Sequence, residues 1–152
     1  MSLGKQHYRE GSYETALEYL TKATELGDAE AHYMLSIMYQ LGQGVEEDRE
    51  KELYHLEQAA IGGHAKARYN VGIHEVENGR FERARRHFII AANLGCHDSL
   101  KVLMTFHANG LASKEDYASA LRAYQAAVDA TKSTVREETE KALKNGEMSI
   151  SF

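Results

Sequence analysis

Eight histidines, one cysteine, an arginine-rich run and a glycine-rich loop are the groups in this 152-residue chain that could do chemistry. The loop, GQGVEED at 42–48, carries two glycines of the kind a phosphate cradle uses. A phosphate loop, however, follows a strand and ends in lysine and then serine or threonine, and neither feature surrounds Gly42 and Gly44. The histidines are His7, His32, His55, His64, His74, His87, His97 and His107; no two form an H-x-x-x-H pair, and His74-Glu75 is not part of H-E-x-x-H. Adjacent helical residues face different directions, so a metal would need ligands from distant parts of the chain. The expectation is no metal and no cofactor. Cys96 stands where a helix begins, a position that lowers a thiol's pKa; no base is readable beside it, and a small turn residue is the simpler role. RFERARR at 80–86 puts Arg83 and Arg86 on one helix face. They suit an acidic or phosphorylated partner or, more simply, a solvated outer face with Ala84 and Phe88 inward.

These groups sit in a chain of ordinary soluble composition, 43% hydrophobic and 27% charged, long enough to bury a real core as one domain. A net charge of −5 argues against a nucleic-acid binder, which shows a basic excess. One cysteine excludes a disulfide framework and any multi-cysteine zinc site. MSLGKQHYREGSYE has no apolar signal-peptide core, and no run approaches membrane-spanning length. A cytoplasmic setting with no membrane contact is the default expectation. Proline is absent, and apolar residues recur three and four apart; the chain is expected to be all-helical.

Three glycine-punctuated junctions repeat: ATELGDAEA (23–31), AAIGGHAKA (59–67) and AANLGCHDS (91–99), spaced 36 and then 32 residues from glycine to glycine. YETALEYLTKAT at 13–24 returns as FERARRHFIIAA at 81–92, with Gly11, Tyr13, Ala16, Leu20, Ala23 and Gly27 superposing on Gly79, Phe81, Ala84, Phe88, Ala91 and Gly95. Between them lie AHYMLSIMYQLG (31–42), ARYNVGIHEVENG (67–79) and SLKVLMTFHANG (99–110), in which Leu35, Val71 and Leu103 align, as do Ser36, Gly72 and Met104. Each unit is a helix A, a turn and a helix B. The small helix-A residue and the alanine pairs Ala59-Ala60 and Ala91-Ala92 allow close helix crossing. Turns four residues longer in the second and fourth units account for the two spacings, and make GQGVEED a repeat turn: Gly42 closes helix A in left-handed conformation and Asp48 caps helix B.

The pattern A-x-x-x-L-S/G-x-x-Y-x-x-G-x-G-V-x-x-D-x-x-K, on Ala31, Leu35, Ser36, Tyr39, Gly42, Gly44, Val45, Asp48 and Lys51, followed by Ala59, Ala60 and Gly63, resembles the Sel-one-like repeat, a relative of the tetratricopeptide repeat. The resemblance runs from about Leu3 to about Lys132. Glu52 stands where the family usually has alanine, and His55 replaces a usual aromatic. Asn109-Gly110-Leu111-Ala112 lacks the second glycine, and Thr131 occupies a closing-glycine position. The resemblance implies a right-handed superhelical α-α solenoid of about four antiparallel pairs, with units at about 1–27, 28–63, 64–95 and 96–132. A C-terminal capping helix at 133–146 is expected, opened by a Thr134/Glu137 capping box, and then a disordered tail at 147–152. The first turn of the first helix A would lie before Met1, which fits either a piece of a longer protein or a naturally short helix.

By the same resemblance, A helices line a concave groove. Its expected lining is Lys5 and Tyr8; Tyr33, Ile37 and Gln40; Lys66, Tyr69, Ile73 and Glu77; and Lys101, Thr105 and Asn109. Tyrosines flanked by lysines suit an extended peptide, although Tyr33 and Tyr69 would equally pack between adjacent repeats. The reading is a non-catalytic scaffold for a protein or peptide partner of unknown identity. The array also resembles those behind RING-type zinc domains, which would make it a ubiquitin-ligase recognition module, and some relatives are linked to hydrolase activity; no converging titratable pocket is readable for the latter. A monomer is expected, with self-association through an open first unit (Leu3, His7, Leu17) as the structural alternative.

Overall fold

The computed structural model describes residues 2–146. Eight helices follow one another: α1 Leu3–Arg9, α2 Tyr13–Glu25, α3 Ala29–Leu41, α4 Arg49–Ile61, α5 Ala65–Glu77, α6 Phe81–Asn93, α7 His97–Ala108 and α8 Lys114–Lys144. There is no strand among the described residues. Consecutive helices pack as antiparallel pairs, and each pair packs on the next. The later A helices begin two residues ahead of the expected segments because the caps lie further upstream. Asp28 accepts from the Glu30 and Ala31 amides, and the His64 ring nitrogen accepts from the Ala67 amide at 3.1 Å, each satisfying a first-turn donor that has no partner inside the helix.

The crossings use the small residues as expected in the first three units. A Cβ built on Gly4 would lie 2.8 Å from Leu20, and one on Gly72 would lie 2.7 Å from a Phe88 ring carbon. From the other side, Ala16, Ala84 and Ala120 are essentially sealed from solvent, at 0%, 0% and 1% exposure. Phe88, fully buried, centres the larger core cluster with Leu103 and Phe106. The fourth unit departs from the pattern. Met104, aligned with Ser36 and Gly72, is 54% exposed, because α8 packs on α6 as well as on α7 and leaves that column facing solvent.

The loop 42–48 stitches two units together. Gly42 and Gly44 have φ of 66° and 71°, the left-handed region open to glycine at no steric cost. A Cβ on Gly44 would meet the Tyr13 backbone carbon at 2.9 Å, so the loop lies directly on the start of α2. Gln43 Nε2 donates to the Tyr13 hydroxyl at 3.4 Å, and the Asp48 carboxylate accepts from the Lys51 amide at 3.1 Å, capping α4 as expected. The expected turn lengths need one correction. The second unit's turn, 42–48, is four residues longer than 10–12 or 78–80, but the fourth, 109–113, is only two longer.

A separate capping helix is not present. α8 runs unbroken from Lys114 to Lys144, beginning at a capping box between Ser113 and Asp116. The Thr134 hydroxyl, expected to cap a new helix, instead donates to the Ala130 carbonyl at 3.0 Å. No glycine or proline interrupts 131–134, so nothing in the backbone forces a stop, and each added residue gains one helical hydrogen bond. Residues 129–141 are exposed throughout. The expected tail at 147–152 lies outside the described residues.

Candidate functional site

The A helices α3 and α5 flank a crevice of about 160 Å³, floored by α4. Ile37 and Gln40 come from α3; Ile73 and Glu77 come from α5. Four of the expected lining residues thus meet in one place. Helix B adds four residues that sequence reasoning did not place there, the apolar Leu53 and Leu56 and the charged Arg49 and Glu52. The Arg49 guanidinium donates to Glu52 Oε1 at 2.8 Å and to the His74 ring nitrogen Nδ1 at 3.0 Å, and lies 3.5 Å from Glu77 Oε2. One side chain therefore ties α4 to α5 across the mouth of the crevice. The available signal was Glu52 itself, an acid in a column occupied by Ala16, Ala84 and Ala120 in the other units.

The remaining expected residues are held in other ways. Tyr33 stacks on the His64 ring, centroids 4.3 Å apart, and Tyr69 leans on Phe88 at 5.7 Å. Tyr33 thus packs at the joint between its unit and the next and Tyr69 against helix B of its own unit, and burial raises the pKa of both phenols. Tyr8 packs against Tyr13 at 5.4 Å. Lys5 Nζ reaches Glu30 at 3.2 Å, while Glu30's other oxygen lies 2.7 Å from His64 Nε2. Burial pushes the Glu30 carboxyl up, but the hydrogen bonds from His64 and Lys5 outweigh it and hold the group below the usual range. Lys66 lies 4.0 Å from Asp98. Two of the three groove lysines are thus matched by acids of the following unit. Lys101 is exposed on α7, where Thr105 donates to the Lys101 carbonyl and Asn109 to the Thr105 carbonyl. These last two serve the end of their own helix.

On the opposite side, His32 and His55 meet with their Nδ1 atoms 3.0 Å apart, a pairing that the local spacing could not show. Burial, then the neighbouring His32 and Lys51 charges, push His55 down to about 4. No group of three or more histidine, cysteine or acidic residues able to hold a metal occurs among the described residues. Cys96 is the N-cap of α7 and makes no side-chain capping bond. Arg83 and Arg86 are exposed and paired with Glu75 at 3.4 Å and Glu82 at 3.7 Å. In the first unit Leu3 is exposed, while Leu17 packs on the core that the first unit shares with α3 of the second. No helix among the described residues is long and apolar enough to cross a membrane.

Stacked antiparallel helix pairs, each contacting its neighbours, with a crevice between successive A helices, define a helical-repeat solenoid. The chain belongs to the Sel1 repeat family, whose model matches residues 2–28, 29–64 and 65–96. Among solved structures it is similar to the crystal structure of a Sel1 repeat protein from Oxalobacter formigenes, at 24% identity and a TM-score of 0.67. That likeness, which is one of fold, covers 83% of this chain and 54% of the other. No curated protein matches.

Proposed function

We propose that the chain is a non-catalytic interaction scaffold that holds a peptide segment or protein surface along the face lined by α1, α3, α5 and α7. The observation that carries this reading is the crevice between α3 and α5, which gathers Ile37, Gln40, Ile73 and Glu77 from two successive units. Apolar side chains beside a few fixed polar groups offer contact area and orientation together. A fold of this kind hosts many unrelated partners, so the site and not the fold carries the proposal.

The test is a crosslinking pull-down from lysate with the intact chain and with an Ile37→Asp, Gln40→Ala variant, both shown to be folded by circular dichroism. A protein captured by the intact chain and lost from the variant is the expected result. Equal capture by both overturns the assignment to this face.

A further inference from the structure

We propose that the crevice between α3 and α5 is a receptor for an arginine side chain of the bound peptide, with the Glu52 and Glu77 carboxylates as its anionic wall. The inference rests on the scaffold reading above and names the partner's chemistry. It begins from a repeat irregularity. Ala16, Ala84 and Ala120 are buried where helix B crosses helix A, and the same column in the second unit holds Glu52, 7% exposed. A buried carboxylate in an alanine column does nothing for packing, and a buried ion pair is on average no more stabilising than an apolar replacement. Departures from local consistency of this kind concentrate at functional positions.

The charge count points to the ligand. Glu52 and Glu77 both turn toward one guanidinium, that of Arg49, at 2.8 and 3.5 Å. With the His74 ring nitrogen accepting from Arg49, two carboxylates face one cation and leave a net negative charge on a crevice of about 160 Å³, Glu52 buried at its floor and Glu77 60% exposed at its rim. The other buried acid, Glu75, lies on the far side of α5 and shows the contrast: Arg80 at 2.6 Å and Arg83 at 3.4 Å both reach it, so it has cations to spare. Arg49, whose side chain is 53% exposed, demonstrates that guanidinium geometry fits the Glu52 carboxylate. A second guanidinium completes the neutralisation, and its flat fork matches carboxylate oxygens better than an ammonium does. Ile37 and Ile73 lie alongside to take the peptide's aliphatic stem.

The probe is the peptide acetyl-Gly-Gly-Arg-Gly-Gly-amide, with its citrulline counterpart as the uncharged isostere, titrated into the isotope-labelled full chain and followed by amide NMR shifts. The arginine peptide is expected to shift the Asn70, Ile73 and Glu77 amides, at least tenfold more strongly than citrulline. Glu52→Ala restores the residue used by the other three units, so it retains the fold, verified by its melting curve, and is expected to abolish those shifts. No shift at these amides, equal shifts with citrulline, or shifts that survive Glu52→Ala would each overturn the receptor. The two readings fail separately. A captured partner that still depends on Ile37 and Gln40, without any arginine-peptide binding, leaves the scaffold face standing and removes the receptor. Capture indifferent to Ile37 and Gln40, with arginine binding in the crevice, removes the scaffold assignment instead.

Discussion

The His55 imidazole lies parallel to the Tyr39 phenol, ring centroids 5.6 Å apart and planes 4° apart. One unit earlier the same two positions hold His7 and Tyr19, stacked at 5.4 Å and 7°, with the two ring types exchanged between helices A and B. In these two units a pair of flat rings fills the space between helix A and helix B whichever helix supplies the imidazole, whereas the third unit has Glu75 and His87 at the same positions.

This stack has a pH consequence. Burial, with the charges of His32 and Lys51, lowers His55 from its ordinary 6.5 to about 4, and burial lowers His32 as well. The unfolded chain then binds more protons than the folded one between those values, so stability falls as pH drops from about 6.5 toward 4. His55→Phe keeps the stack and removes the titration. Denaturant melts at pH 7.5 and 5 should show wild type losing about 1–2 kcal/mol more than the variant, after discount for partial exposure. Parallel losses would show that the pair does not exclude the proton.

Gly72 faces the Phe88 ring across the α5–α6 crossing, with 2.7 Å available for an added Cβ. Gly72→Ala gains helix propensity but overpacks a sealed core, and the second effect wins because the obstructing atom is an aromatic ring fixed in the core. The expected net loss is about 1–3 kcal/mol, read as a lower urea midpoint. A rise in the midpoint would mean the crossing can open without cost.

Glu75 is 4% exposed and held by Arg80 and Arg83. Replacing both arginines by alanine strands a buried carboxylate and should cost about 3 kcal/mol. Adding Glu75→Gln to that variant should recover at least half of the loss. A triple variant no more stable than the double would show that the charge is not what the arginines serve.

The distal half of α8 contributes little to the core. Residues 129–141 are exposed, Val135 among them at 55%, and a helix of that length is marginal on its own. Ending the chain after Lys132 should leave the melting temperature within about 2 °C, since surface changes away from packing shift stability by about 0.5 kcal/mol or less. A drop of about 8 °C or more would place a stabilising contact on that segment.

The helical class and the three clear units were legible because each depends on local rules. Apolar spacing marks the helix faces, glycine marks the chain reversals, and the aligned Leu35, Val71 and Leu103 are all buried. The loop at 42–48 was also readable as a turn, although its role as a clasp onto Tyr13 was not, since that contact joins residues some thirty positions apart. The fourth unit was misread at both ends. Thr134 and Glu137 have the types of a capping box, but a cap forms only where the helix has already stopped, and 131–134 contains nothing to stop it.

By itself, then, the sequence determined the repeating helix–turn–helix plan, because side-chain periodicity and turn chemistry act within a few residues. Tertiary structure alone decided how the expected groove divides: Tyr33 stacked on His64 of the next unit and Tyr69 on Phe88 of its own, Lys5 and Lys66 found acids in the following unit, and Ile37, Gln40, Ile73 and Glu77 came together around Arg49 and Glu52. Those pairings join side chains from different helices, and their partners are set by how one unit stacks on the next, which no local spacing records.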